Sequence, residues 1–233
     1  MPVLNTADKI MLGATQADRV YLGTELVWEP APVGPIPVKT ITFDGESVGS
    51  AVAVAGDITA VVGTPTYEAG IHGVGINYTD QEKVDFQGLL AANYSGSLYF
   101  QIDSVITTGG SRAHILKAGD FTWRSGFKMI NDGDVDPTIG GTNEPALCTW
   151  AAGDRFRVDW QANFDTSQIT WRVFKGANIE GTVHDYERTL DLSGNTSLID
   201  TVTFGDSNSP TGTDITFDTI RVYDSLVWAG PYA

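Results

Sequence analysis

Apolar and polar residues alternate with a period of two through much of the chain. The clearest run is Phe156-Arg157-Val158-Asp159-Trp160-Gln161-Ala162-Asn163-Phe164, with apolar side chains at 156, 158, 160, 162 and 164. Successive side chains of an extended strand point to opposite faces, so this run predicts a strand with one core face and one polar face. Asp165-Thr166-Ser167-Gln168 reads as a turn, and Ile169-Thr170-Trp171-Arg172-Val173-Phe174 resumes the alternation, completing a hairpin. Further strands are predicted at 40–44, 51–54, 73–78, 97–106, 114–118, 123–130, 198–204 and 215–223. A helical period is almost absent. Many short strands divided by polar turns predict an all-β protein, with a two-sheet β-sandwich or jelly roll over residues 38–233.

Residues 1–29 follow a different pattern, an internal repeat. Ala7-Asp8-Lys9-Ile10-Met11-Leu12-Gly13 returns as Ala17-Asp18-Arg19-Val20-Tyr21-Leu22-Gly23, and Glu25-Leu26-Val27-Trp28 follows. Each unit reads as a short strand ended by a turn glycine, which predicts a three-stranded meander at 9–12, 19–22 and 25–28. Gly23-Thr24 suits a two-residue hairpin turn. The stretch 30–37 holds four of the ten prolines. Such a segment is an extended, semi-rigid linker that spans roughly 25 Å. The expected organisation is therefore a docking module at 1–29, a linker at 30–37 and a sandwich at 38–233. Three strands of this size bury too little surface to stand alone. Met11, Tyr21 and Trp28 then lack a core of their own and are expected to dock on another subunit. Lys9 and Arg19, at matching repeat positions, could pair with partner carboxylates.

Composition removes several function classes. The 233 residues are 42% hydrophobic and 18% charged, a globular balance, and no apolar run approaches the roughly 20 residues that span a bilayer. Membrane insertion is not expected. The first residues have neither the basic nor the apolar region of a secretory leader, so synthesis and folding in a cytoplasm are expected. Asp and Glu number 29 against 14 Lys and Arg, a net charge of −15, which repels phosphate backbones and argues against nucleic acid as a partner. The same charge favours solubility and self-repulsion. The lone cysteine, Cys148, excludes an internal disulfide and reads as a small buried hydrophobe. His72, His114 and His184 are scattered and form no ligand pair.

A family resemblance sits at the two ends. The repeat at 7–13 and 17–23, followed by Leu26-Val27-Trp28, resembles the opening of many virion proteins of phages infecting actinobacteria, chiefly minor tail proteins. Phe217-Asp218-Thr219-Ile220-Arg221-Val222-Tyr223, followed by Trp228-Ala229-Gly230-Pro231, is similar to the last strand and tail of the concanavalin A-like (laminin G-like) jelly rolls in those proteins. The resemblance implies a structural component of the particle, a minor tail or capsid decoration protein, present in multiple copies. Its partners would be other tail or capsid subunits, and the virion would be assembled in the host cytoplasm. It requires no cofactor. The alternative it implies is a receptor-binding module that recognises a host cell-surface glycan.

The chemical motifs point away from catalysis. Jelly-roll glucanases of similar fold carry an E-x-D-x-x-E strand motif whose alternate carboxylates enter one cleft and act as nucleophile and acid. That motif is absent, and Glu82-Lys83-Val84-Asp85 and Asp185-Tyr186-Glu187 are the nearest acidic groupings. No G-x-S-x-G elbow is present. Asp132-Gly133-Asp134-Val135-Asp136 places three carboxylates at alternate positions, which could converge on calcium where the chain curls. Pro137 and Asn143 replace the glycine and glutamate of an EF-hand loop, while calcium binding is common in laminin G-like domains. Phe217 stands where similar tails often carry an acidic residue, which weakens an ion-binding role there. For sugar stacking, Trp160 and Trp171 belong to predicted core faces and Trp28 and Trp228 to the terminal motifs. Trp123 and Trp150 remain as candidate glycan platforms.

Overall fold

The computed structural model describes residues 11–12, 15–16, 20–22, 25–28, 35–79, 82–87, 93–104, 112–118, 125–130, 133–140, 142–192, 201–205 and 214–232. The chain separates into two compact units, Met1–Ile36 and Pro37–Ala233. In the first, β1 (Met11–Leu12) pairs antiparallel with β2 (Thr15–Gln16), and β3 (Val20–Leu22) pairs with β4 (Glu25–Trp28). The expected meander is thus resolved into two separate hairpins, because Thr15–Gln16 supplies β1 with a partner of its own. Two residues separate the strands of each pair, the spacing that the shortest hairpins use. Met11, Tyr21 and Trp28 stand on β1, β3 and β4, while Lys9 and Arg19 lie outside the described residues.

Among the described residues the second unit contains two eight-stranded antiparallel sheets, with strands numbered in chain order. The first runs β18 (Tyr186–Asp191), β17 (Gln168–Lys175), β16 (Arg155–Asn163), β10 (Tyr94–Ser104), β20 (Asp214–Tyr223), β8 (Val74–Thr79) and β7 (Thr66–Ala69), with β5 (Lys39–Ile41) also on β20. The second runs β14 (Thr142–Asn143), β13 (Asp134–Ile139), β12 (Ser125–Ile130), β11 (Arg112–Ala118), β19 (Thr201–Gly205), β9 (Lys83–Gln87) and β6 (Ile58–Val62), with β15 (Cys148–Thr149) on β13. Each sheet combines pairs of consecutive strands with neighbours far apart in sequence, such as β10 beside β20 and β9 beside β19, the connectivity of a jelly-roll sandwich. No described helix is long and apolar enough to cross a membrane.

The core follows from the alternation. Phe156, Val158, Trp160 and Ala162 of β16 and Ile169, Trp171 and Val173 of β17 all belong to one buried cluster. The 156–164 and 169–174 hairpin forms as expected, with Trp160 directly opposite Trp171. Aromatic contacts fill the space between the sheets: Phe204 of β19 stacks across it on Phe217 of β20 with centroids 4.2 Å apart, and within the second sheet Phe86 of β9 meets Phe204 edge-on at 5.4 Å. Each such buried side chain contributes about 1.5–3 kcal/mol. Gly96 of β10 lies opposite Trp160 and Val222, where a Cβ would collide with the indole ring and crowd the Arg221 carbonyl.

One irregularity positions the site. Between Ser97 and Tyr99 the β10–β20 register shifts, and Thr219 sits at φ 43°, a left-handed conformation costly for a β-branched residue. The bulge breaks the strict alternation of β20. Phe217, Ile220 and Val222 face the core, while Asp218 and Arg221, three residues apart, share the opposite face.

Candidate functional site

The outward face of the first sheet carries a concentration of buried charge. Alternation sends Arg157 and Asp159 of β16 away from the core, beside Ser97 and Tyr99 of β10 and Asp218 and Arg221 of β20. All six are buried, because two segments of the chain fold over them. The first segment, which follows β17, is gripped by Arg157, which donates to the carbonyls of Ile179 (2.7 Å) and Gly181 (2.9 Å). The second is the C-terminal tail. Arg221 donates to the carbonyls of Gly230 (2.6 Å) and Pro231 (3.2 Å) and to the Ser97 hydroxyl (3.0 Å). The Tyr232 amide donates to the Tyr99 hydroxyl at 2.8 Å, and the Arg172 guanidinium lies 3.7 Å over the Trp228 ring.

Within this closed layer every carboxylate has a protein partner. Asp159 Oδ1 lies 3.1 Å from Arg157 Nε, an ion pair not aligned as a hydrogen bond. The Arg157 guanidinium stacks 3.5 Å over Phe174. Asp218 Oδ2 accepts the His72 amide at 2.8 Å and so holds the turn between β7 and β8. A Cβ at Gly70 would strike that same carboxylate. Glu180 accepts from the Tyr99 hydroxyl at 3.2 Å and lies 2.8 Å from His72 Nε2, whose ring meets Tyr99 edge-on at 4.5 Å.

Burial governs the titration of these groups. It pushes the Asp159 carboxyl up to about 6, outweighing the attraction of Arg157, Arg221 and Arg172. The Asp218 carboxyl is also raised by burial, against the opposing hydrogen bonds and charge of the 71–72 turn. The Tyr99 hydroxyl rises to about 12, so it stays protonated and acts as a fixed donor. The buried Cys148 thiol also rises to about 12, which leaves it inert as a nucleophile.

A second feature is an open cleft of about 300 Å³ whose lining includes Thr42, Phe43, Glu46, Asp57, Tyr67 and Phe86. That volume is the lower end of what small-molecule sites offer. Phe43 is central, with its ring centroid 6.1 Å from Tyr67 and 6.3 Å from Phe86. The Lys39 ammonium bonds the Asp57 carboxylate. The Glu46 carboxylate has no hydrogen-bond or ion-pair partner among the described residues. Burial, and secondarily the Glu46 charge, raise the Tyr67 hydroxyl above its ordinary value.

The candidates singled out by sequence fall elsewhere. Trp150 is 6% exposed and packed in the core cluster, so its ring is not available as a glycan platform. Trp123 lies outside the described residues, as does Asp132. Asp134 and Asp136 stand on the same face of β13, a strand where a curling loop had been expected. Among the described residues no group of three His, Cys, Asp or Glu side chains could hold a metal.

No protein-family model matches the chain, and no curated protein matches it. Solved structures do. The binding domain of botulinum neurotoxin DC in complex with SialylT aligns with a TM-score of 0.53 at 10% identity, over 72% of this chain and 42% of that one. A sialidase aligns with a TM-score of 0.52 at 9% identity, over 70% and 16%. A mutant of Trypanosoma rangeli sialidase displaying trans-sialidase activity aligns with a TM-score of 0.51 at 11% identity, over 76% and 30%. The chain thus spans less than half the length of each. At such identities the likeness shows the fold, an all-β jelly-roll sandwich.

Proposed function

We propose that the chain is a non-enzymatic structural component of a bacteriophage particle, a minor tail or capsid decoration protein. It attaches through residues 1–29 and displays the sandwich at the virion surface. The observation that carries this reading is the closed outward face of the first sheet. A hydrolytic groove needs carboxyl groups within reach of substrate and water. Here Asp159 and Asp218 are bound to the chain's own arginine and turn amides, beneath a roof made by the tail and the segment after β17. Attachment through the N-terminus rests on the repeat and its family resemblance. Two isolated two-stranded hairpins are marginal in water, which favours completion by tail or capsid subunits. The net charge of −15 suits a component assembled in many copies in the host cytoplasm.

The test is incorporation. Interfaces draw most of their affinity from a few desolvated aromatic and aliphatic anchors, whereas exposed ion pairs contribute about 0.2–1 kcal/mol. The double change Tyr21→Ala, Trp28→Ala should deplete the protein from purified particles while the sandwich still melts cooperatively. Lys9→Ala should do much less. Normal incorporation of the double variant would sink the docking role of the repeat.

The cleft beside Phe43 favours a second reading, recognition of a host cell-surface glycan. It sets two unpaired polar groups, the Glu46 carboxylate and the Tyr67 hydroxyl, in a partly apolar lining, the arrangement that orients small ligands in general. A glycan array probed with the full chain tests it, and a blank array counts against it.

A further inference from the structure

We infer that the cleft selects its ligand by charge, taking a sugar that bears an ammonium group in preference to a neutral one and rejecting a carboxylate-bearing one. This rests on the glycan reading of the same cleft. Two acidic side chains line it, and they are not equivalent. Asp57 is neutralised by the Lys39 ammonium. Glu46 has no counter-charge among the described residues, so the lining carries one uncompensated negative charge. Phe43, Tyr67 and Phe86 also line the cleft but belong to the buried core, so the Glu46 carboxylate is the charged group that a ligand meets. The Tyr67 hydroxyl makes no hydrogen bond within the described residues and is left to a ligand.

The chain as a whole, at −15, adds a long-range field of the same sign. An ammonium group entering the cleft meets an unpaired carboxylate. A sialic acid would set its own carboxylate against Glu46 without any cation to receive it. Glu46 is solvent-exposed, so the preference is limited by screening. An exposed ion pair predicts an advantage of up to about fivefold in affinity.

Glucosamine, glucose and N-acetylneuraminic acid are the probes, titrated into the full chain at or slightly below neutral pH and followed by calorimetry or ligand-observed NMR. Glucosamine should bind about twofold to fivefold tighter than glucose, with N-acetylneuraminic acid the weakest of the three. Glu46→Gln should bring the glucosamine-to-glucose ratio close to one. Because Glu46 is on an exposed turn, the substitution leaves the core untouched. Equal binding of glucose and glucosamine, tighter binding of N-acetylneuraminic acid, or an unchanged ratio in Glu46→Gln would overturn the charge selection while leaving the glycan reading in place. Failure of all three sugars to bind would overturn both.

Discussion

Asp159→Asn separates a closed structural layer from an open ligand groove. In water the Asp159 carboxyl titrates near its ordinary 3.8, whereas burial in the folded chain moves it to about 6. A folded-state value above the unfolded one means the native state binds the proton more tightly. The stability linked to this group is therefore fully present below about pH 4 and is lost as the pH rises through about 6. A rise of that size corresponds to about 3 kcal/mol, carried as a cost at pH 7. Asparagine mimics the protonated acid at all pH values, with the same Arg157 beside it. The variant should match the wild type near pH 4 and be the more stable by up to about 3 kcal/mol at pH 7. For a domain of this size that is roughly 6–12 °C in melting temperature. The assay is thermal unfolding of both proteins across that pH range, compared as a difference so that the titration of the other carboxylates cancels. Parallel pH profiles, or a variant that is less stable at pH 7, would show that Asp159 is solvated or held ionised by its arginines. The closed-layer argument would then fail.

Gly96→Ala should destabilise the sandwich by at least the roughly 1–3 kcal/mol typical of overpacking, since the added methyl meets a fixed indole and a backbone carbonyl; chemical denaturation measures it, and a neutral result would contradict the packing. A calcium site would raise stability by about 2.7 kcal/mol at a hundredfold excess over its dissociation constant. With Asp134 and Asp136 on a regular strand and no group of three ligating side chains among the described residues, the expected melting temperature is indifferent to calcium and to chelator, and a clear rise with calcium would support the site.

What was legible in the sequence depended on how many residues carried each signal. The nine-residue alternation at 156–164 and its partner at 169–174 identified the hairpin, its core face and the burial of Trp160 and Trp171. Lys83–Gln87 also alternates, with Val84 and Phe86 fully buried, but two apolar residues are too few to stand out. Tyr186–Asp191 is an edge strand with largely exposed residues and so has no core face to reveal. The stretch 51–54, expected as a strand, makes only an isolated bridge from Ala51 to Thr66.

The site was harder to read, for a different reason. Alternation assigns Arg157 and Asp159 to the face opposite the core without saying what covers that face. The cover comes from a tail some seventy residues later, pinned by Arg221. Arg221 points there only because of a bulge at Thr219, a residue type that disfavours the left-handed region, so no local propensity announces it. Trp150, isolated in a turn-rich stretch, had no neighbouring pattern to mark it as core. The cleft is lined partly by the 45–57 loop, whose small and polar residues have no period.

The central claim is that residues 1–29 hold the protein to a phage particle while the sandwich is displayed, and a cryo-EM map of the intact particle tests it most directly. The account predicts density for the N-terminal hairpins enclosed by a neighbouring tail or capsid subunit, with the sandwich projecting into solvent beyond the proline-rich linker. A particle in which the sandwich itself forms the contact, with the N-terminal residues free of any partner, or one that lacks the protein altogether, would contradict it.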